Sequence, residues 1–322
     1  MRNLRYVCAQ PTSNYYLWQV ETVIHNFAKH GINPNNLDIV CAIPPNSETP
    51  EQWRKLADTY NTVRFFFYPD DRTETPYVSS VRPNILKKHF AAHPEMKDEA
   101  IFYFDCDMIF TRPPDFSKFL DDDITYGSDC QFYVGAEYIK GKGFGIYEKL
   151  CEICDIHPDV AVANELNVIG AQHILKNIDA KFWEDIERQS DTMYQFCLDD
   201  LKIHPEVLEK DATPENPARN PIQKFCADMY AMFFNVLKRG EVRNDLYLDF
   251  CWATQTKEKW DDCVIFHGAG VLNTQNKEFF YKGDYVSGDK MPYNIENHVD
   301  PKQASHYWLK EILETGKTSC LL

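Results

Sequence analysis

The stretch that most constrains the fold is an apolar run at 101–104 followed by two aspartates. A strand that is buried on both faces loses the alternation of polar and apolar residues, so this run predicts a central strand of a parallel sheet covered by helices. Side chains two apart on a strand lie on the same side. We therefore expect Asp105 and Asp107 to face one point while Cys106 points into the fold.

Two carboxylates at the carboxyl end of a central strand predict a site for a divalent cation and phosphate groups. Hard oxygen donors suit such a cation, and ligands of open α/β sheets bind beyond this edge. The alternative is a solvated strand end, because the run 121–123 also satisfies Asp-x-Asp. That second copy lacks a buried strand leading into it, so we favour the metal role for Asp105 and Asp107.

Composition is that of a folded α/β protein. The 322 residues are 44% hydrophobic, which is enough for one large domain. We predict a single domain over 1–300, followed by a C-terminal helix and tail over 301–322. The net charge of −15 repels nucleic-acid backbones and argues against such a partner unless a local basic patch exists.

The location predicted from the sequence is the cytoplasm, with no membrane partner. No apolar stretch approaches the length that spans a bilayer, and the start has no apolar leader. The eleven cysteines are scattered and odd in number, which fits reduced thiols. Cys151, Cys154 and His157 hint at zinc, but no second Cys-x-x-Cys exists, so buried helix cysteines are favoured.

Strand and helix patterns alternate along the first third of the chain. This alternation predicts a parallel sheet with right-handed crossovers. The predicted strands are 5–9, 37–43, 63–68, 124–128 and 264–271, and the predicted helices are 17–30, 50–60, 182–197, 223–237 and a stretch that follows 167–172 and ends at Ile178. A glycine-rich connector is expected at 141–145 and a loop at 210–221.

Two charged residues stand out beside predicted helices. Pro83 fits the first turn of a helix, which places Arg82 at the helix mouth near the strand ends. Arg82 could contact a phosphate there or could be a solvated arginine. Asp228 lies between apolar neighbours such as Met229, either on the polar face of its helix or in a site, and we favour the site.

A second buried strand ends at His267, another metal-ligand type. A lone histidine of this kind is more often a core residue than a ligand. The glycines Gly268 and Gly270 behind it permit close approach by a ligand. Lys282 follows three aromatic residues further along the chain.

Together these motifs resemble those of GT-A glycosyltransferases. The likeness lies in Phe104-Asp105-Cys106-Asp107 and in His267-Gly268-Ala269-Gly270 followed by Lys282, in the same order along the chain. The resemblance implies an α/β, Rossmann-like GT-A fold with a mostly parallel central sheet flanked by helices and with helical and loop insertions. The lysine departs from the usual Gly-x-x-Lys-Pro-Trp setting.

The resemblance also implies roles for individual residues. Asp105, Asp107 and His267 would ligate Mn²⁺ or Mg²⁺, with the histidine favouring manganese, and Lys282 would neutralise the leaving diphosphate. Gln10, Pro11, Thr12 and Arg82 would lie around the nucleotide, Gly268 close to the donor, and Gly170, Ala171, Gln172 and Asp228 around the donor sugar or the acceptor. Asp228 is the candidate general base of an inverting enzyme; in a retaining enzyme it would contact the sugar.

The implied activity is transfer of a sugar from a nucleotide-diphosphate sugar, in the first place a UDP-sugar, to a hydroxyl acceptor. That acceptor could be a hydroxylated base in phage DNA, a glycan or a protein. Two alternatives use the same aspartates. One is a metal-dependent nucleotidyltransferase or phosphohydrolase, and the other is a sugar-nucleotide-binding module without catalysis.

Overall fold

The computed structural model describes residues 2–73, 77–143, 145–203 and 222–322, with the side chains of 200–203 left out. The predicted loop at 210–221 lies outside these ranges, as does residue 144 of the glycine-rich connector. Among the helices within these ranges, none is long and apolar enough to cross a membrane.

Ten strands and eleven α-helices, joined by short 3₁₀ turns, make up the described chain. The strands are β1 (Leu4–Pro11), β2 (Leu37–Ile43), β3 (Arg64–Pro69), β4 (Ala100–Phe104), β5 (Met108–Phe110), β6 (Thr125–Asp129), β7 (Ile169–Lys176), β8 (Val242–Asn244), β9 (Phe250–Trp252) and β10 (Ile265–His267). The helices are α1 (Asn14–Lys29), α2 (Glu51–Thr59), α3 (Val81–Ala92), α4 (Gln131–Val134), α5 (Ala136–Lys140), α6 (Ile146–Ile153), α7 (Pro158–Ala163), α8 (Ala180–Ile203), α9 (Ala227–Arg239), α10 (Lys257–Asp262) and α11 (Ala304–Gly316).

The central sheet has seven strands in the order β3-β2-β1-β4-β7-β6-β8. The pairs β3–β2, β2–β1, β1–β4 and β6–β8 are parallel, whereas β7 runs antiparallel to both β4 and β6. Strands β1 and β4 are buried over most of their length, as expected of parallel strands covered on both faces. This architecture confirms the predicted α/β class with a mostly parallel sheet flanked by helices.

The segment that ends at Lys176 corrects one prediction. We expected a helix up to Ile178, but β7 occupies Ile169–Lys176 and lies inside the sheet, between β4 and β6. When both faces of a short segment such as Ile174-Leu175 are buried, its apolar and polar residues do not alternate with a recognisable period. Sequence alone therefore does not distinguish a strand from a helix there.

The segment that carries the two aspartates corrects a second prediction, that Asp105 and Asp107 lie on a strand. Strand β4 ends at Phe104, and residues 105–107 form a turn that leads into β5. A backbone hydrogen bond of 3.0 Å from Met108 N to Asp105 O closes this turn. The aspartates therefore converge because the chain turns, and not because a strand alternates.

A second sheet, absent from the sequence prediction, holds the end of this turn. Strand β10 pairs antiparallel with β5 and parallel with β9. The side chain of Asn26 on α1 bonds both backbone groups of Phe110, accepting from N at 2.8 Å and donating to O at 3.0 Å. These two hydrogen bonds satisfy the backbone groups of Phe110 and attach the short edge strand β5 to the first helix.

Two hydrophobic clusters cover the two faces of the central sheet. One contains the apolar sides of α1 and α11 together with β10, and the other contains those of α3, α6, α8 and α9. Buried Cys151 and Cys154 belong to the second cluster. His157 instead caps α7 through a hydrogen bond from the backbone N of Asp159.

The carboxylate of Glu21 joins α1 to the end of the chain. This fully buried side chain accepts hydrogen bonds from the hydroxyls of Tyr60 (3.0 Å), Tyr293 (2.5 Å) and Ser319 (2.6 Å) and from Cys320 N (3.2 Å). Four donors compensate the cost of burying one carboxylate. Residues of the 301–322 segment therefore share a core with the first helix.

Strand β7 also buries a histidine that the sequence analysis did not single out. His173 stacks on Tyr103 with ring centroids 6.2 Å apart, and neither ring nitrogen has a hydrogen-bond partner within the described ranges. Burial lowers the pKa of His173 to about 3, because an unpaired imidazolium cannot be solvated there.

We predict that His173 contributes to acid destabilisation. The unfolded chain takes up a proton at this residue below about pH 6.5, while the folded chain stays neutral down to about pH 3, so stability is present above this window and is lost as the pH falls through it. Between pH 6 and 4, the free energy of unfolding should fall with decreasing pH in both proteins. The slope should be larger in the wild type than in His173→Phe, by about 1.4 kcal/mol per pH unit. Urea unfolding measures this slope; His298→Phe, at an exposed site, is the control, and equal slopes for wild type and His173→Phe would contradict the prediction.

Candidate metal and diphosphate site

Two chain segments bring three ligand-type side chains together. Asp105 and Asp107 lie in the turn after β4, and His267 ends β10, opposite Met108 of β5. A hydrogen bond of 2.9 Å from Gly268 N to Asp107 O continues this pairing beyond the strand. The register therefore places the imidazole directly beside the turn. In the part of the chain that the structure describes, these three residues form the one group of His, Cys, Asp or Glu suited to a cation, with ligand atoms within 4.8 Å of one another.

Each carboxylate presents one oxygen to His267 and the other to a basic side chain. The Nε2 atom of His267 lies 3.2 Å from Asp107 Oδ1 and 3.7 Å from Asp105 Oδ2. The remaining oxygens bind Arg82, at Asp105, and Lys282, at Asp107. Ligands about 2.1 Å from a cation lie roughly 3 to 3.5 Å from one another. The distance to Asp107 lies within this range and the distance to Asp105 slightly above it, so a small shift of Asp105 would close the set around a divalent ion.

Opposite charges hold Asp107 ionised although it is buried. Burial of Asp107 opposes ionisation, but the charges of Lys282 and His267 outweigh that cost and hold the pKa of Asp107 well below its usual range. The pKa of His267 is raised by the two aspartates against the effect of its own burial. The pKa of Lys282 is likewise raised, mainly by Asp107 against burial. The three groups form a compensated buried cluster.

Arg82 crosses from this cluster to Asp228. Its guanidinium donates to Asp105 and to Oδ2 of Asp228. The other oxygen of Asp228, Oδ1, accepts from the Tyr77 hydroxyl at 2.6 Å and from Met229 N at 3.1 Å. Both oxygens of Asp228 are thus engaged.

The cluster opens into a cavity of about 640 Å³. Cavities of this size hold molecules of a few hundred daltons. The end of β1 and the turn after β4 form one wall, and α1, α4, the first turns of α3 and α9 and the end of β10 form the others. Aromatic residues on the walls are Tyr15, Tyr16, Phe132, Tyr133, Tyr138 and Trp252.

The predicted site residues divide into two groups by position. Those on the cavity wall are Gln10, Pro11, Arg82, Asp105, Asp107, Ala171, His267 and Lys282. The others lie behind it: Thr12 donates its hydroxyl to Ala42 O at 2.9 Å, Asp228 lies behind Arg82, and Gln172 lies behind His267, with its amide nitrogen 3.3 Å from the ring.

The two predicted glycines outside the wall pack against side chains. A Cβ atom on Gly268 would lie 2.4 Å from the Trp308 ring, and one on Gly170 would lie 2.7 Å from Cys130 Sγ and 2.8 Å from Met229 Cε. Side chains of the protein itself occupy the space beside both glycines. Both positions exclude a larger residue for packing reasons.

Sequence reasoning missed several wall residues. Tyr15 and Tyr16 lie on the first turn of α1, directly after the short connection from β1, a position that could have been read from the strand-loop-helix pattern. Phe132 is 85% exposed, which is high for so large an apolar side chain. Trp252 on the wall and Tyr77, which lies behind it on Asp228, carry no sequence signal, because their positions depend on contacts with distant segments.

The chain was compared with known proteins. No family model and no curated protein matches it. Similar solved structures include the WbbM bifunctional glycosyltransferase in its apo form (TM-score 0.46, 10% identity, 99% of this chain and 50% of that one). Two others are the galactosyltransferase LgtC with donor and acceptor sugar analogues (0.39, 8%, 98% and 96%) and mouse xyloside xylosyltransferase 1 (0.36, 8%, 83% and 97%). The chain spans about half of WbbM and nearly all of LgtC. Identity and TM-score are low, so the reaction has to be inferred from this chain's own residues.

We predict that Lys282→Met destabilises the fold by about 3 kcal/mol, because it leaves the buried carboxylate of Asp107 with one cation fewer. The double variant Lys282→Met/Asp107→Asn should recover part of this loss, since it removes the uncompensated charge as well. Chemical unfolding of the four members of this cycle gives the coupling energy.

Lys257→Met is the matched control, because it breaks an exposed pair with Asp261 four residues along a helix. Such a pair contributes at most about 0.5 kcal/mol. A Lys282→Met effect no larger than that of the control would show that the Lys282–Asp107 pair does not hold the cluster.

Proposed function

We propose that this protein is a metal-dependent GT-A glycosyltransferase that transfers a sugar from a nucleotide-diphosphate sugar to a hydroxyl acceptor. The observation that carries the proposal is the convergence of Asp105, Asp107 and His267 on a cavity that also presents Lys282 and Arg82. Two carboxylates and one imidazole suit manganese or magnesium, and the two basic residues suit a diphosphate. We take a UDP-sugar as the first donor to test.

The chemistry needs negative charge to be stabilised as the glycosidic bond breaks. A cation held by Asp105, Asp107 and His267 would act as a Lewis acid on the diphosphate leaving group. Lys282, already fixed on the cavity wall, adds a second positive charge there. The glycosidic bond breaks with its electron pair moving to the diphosphate oxygen, and the acceptor oxygen bonds to the anomeric carbon.

The acceptor hydroxyl also loses its proton. Asp228 is the proposed catalytic carboxylate, as the base of an inverting enzyme or as a contact to the sugar in a retaining one. Its carboxylate accepts hydrogen bonds from Tyr77, Arg82 and Met229 N and lies behind Arg82, off the cavity wall, so a role as base requires Arg82 to move aside. We predict that Asp228→Asn lowers turnover at least about 100-fold, measured as nucleoside diphosphate release.

The acceptor is proposed as a hydroxyl-bearing molecule, either a glycan, a protein or a hydroxylated base in DNA. The net charge of −15 weighs against DNA. The eleven cysteines are scattered and odd in number, a usage that fits reduced thiols and supports the cytoplasm as the proposed location.

A thermal-shift screen tests the donor. We expect Tm to rise with one sugar nucleotide in the presence of Mn²⁺ or Mg²⁺ and to return to its starting value in EDTA, because a ligand that binds only the native state stabilises it. Asp105→Ala and Asp107→Ala should abolish this metal-dependent shift while they leave the far-UV circular dichroism unchanged.

Product analysis separates the alternatives. A transferase releases a nucleoside diphosphate, whereas a nucleotidyltransferase or phosphohydrolase releases pyrophosphate or phosphate. A module that only binds would show the shift without any product and would tolerate Asp228→Asn. An unchanged donor shift in the two aspartate variants would refute the site assignment itself.

A further inference from the structure

The two nitrogens of the His267 ring face different surroundings. Nε2 points toward the carboxylates of Asp105 and Asp107. Nδ1 lies 3.3 Å from the amide nitrogen of Gln172, which is fully buried. The amide of Gln172 is therefore the polar neighbour of the ring nitrogen that a cation at Nε2 would leave free.

The ring and the amide are both held in place. His267 stacks on Trp252 with ring centroids 6.0 Å apart and planes 6° apart, and Phe250 contacts it from another side at 5.3 Å. Gln172 lies on β7, between β4 and β6 in the central sheet. Neither side chain can leave this contact without disturbing its packing.

One atom of this contact is anomalous. The amide oxygen of Gln172, Oε1, is buried and has no hydrogen-bond partner within the described ranges. Buried polar atoms in folded proteins are almost always paired, and an exception calls for a functional account. This orphan acceptor belongs to the same amide whose nitrogen lies against the ring.

The two ends of the amide suit two tautomers of the ring. With the amide nitrogen against Nδ1, the amide donates, so a neutral ring carries its hydrogen on Nε2, toward the aspartates, and a charged ring would place two donors against each other. A cation at Nε2 needs the lone pair of that nitrogen, so the hydrogen must lie on Nδ1 and needs an acceptor. A half-turn of the amide about its last bond presents Oε1 to Nδ1 and supplies that acceptor.

We propose that Gln172 is a positioning residue that selects the His267 tautomer with a free Nε2 and so determines how tightly the site binds a divalent cation. This inference rests on the metal assignment within the proposed function. It gives Gln172 a role different from contact with the donor sugar or the acceptor, because the residue lies behind the ring and outside the cavity wall.

Mn²⁺ binding to the purified protein, followed by electron paramagnetic resonance of the free ion, tests the proposal without any activity measurement. Gln172→Leu keeps similar volume and removes both ends of the amide, so Mn²⁺ affinity should fall about 10- to 100-fold. Gln172→Glu retains an acceptor for the Nδ1 hydrogen and should stay within about threefold of the wild type.

Gln189→Leu is the matched control, since Gln189 is equally buried but bonds Cys154 and Asn235 in the other cluster; it should leave Mn²⁺ affinity unchanged. If the role of Gln172 were purely structural, Gln172→Leu and Gln172→Glu would both lose Mn²⁺ affinity, and that result would overturn the proposal. Unaltered Mn²⁺ affinity in Gln172→Leu would overturn it as well. If the wild type itself bound no Mn²⁺, the metal assignment would fail together with this inference. If the wild type bound Mn²⁺ but no sugar nucleotide, only the proposed transferase activity would be refuted, and the comparison of the Gln172 variants would still decide this inference.

Discussion

Compensation of buried negative charge is the constraint on which the structure around the cavity depends. Asp107 is only 5% exposed, and a carboxylate in such a place is tolerated only when cations or several donors surround it. His267 and Lys282 supply that compensation from segments 160 and 175 residues further along the chain. In the second sheet, the pairing of β10 with β5 places the imidazole beside the turn after β4.

Part of this site could be predicted from the sequence because its residue types carry their chemistry with them. An apolar run that ends in Asp-x-Asp and a late buried histidine indicate a cation site wherever the chain places them, and the structure brings Asp105, Asp107 and His267 together. The reason given for the convergence was wrong, however. A turn, and not a strand, presents the two aspartates, and local sequence does not distinguish the last residue of a buried strand from the first of a turn.

What could not be predicted depends on contacts between distant segments. The strand β7 looked like the start of a helix because its period is hidden by burial on both faces. In the second sheet only β10 falls within a predicted strand, 264–271, which is longer than the three residues observed. Strands β5 and β9 have three residues each, too short for a pattern, and only their pairing with β10 defines them. The hydrogen bond from Tyr77 to Asp228 and the contact from Gln172 to His267 span about 150 and 95 residues, and no local signal announces either.

The buried carboxylate of Glu21 has a consequence for the order in which the chain can mature on a ribosome. Its donors include Tyr293 and Ser319, so the face of the first helix that carries Glu21 cannot pack fully until those residues have been synthesised. The cations that neutralise Asp107 also emerge late. A nascent chain that has reached only the end of β8 holds all seven strands of the central sheet but lacks the late partners of both acidic centres, which stay exposed to water until those segments are synthesised. Incompletely packed chains of this kind are prone to aggregate, and chaperones protect them.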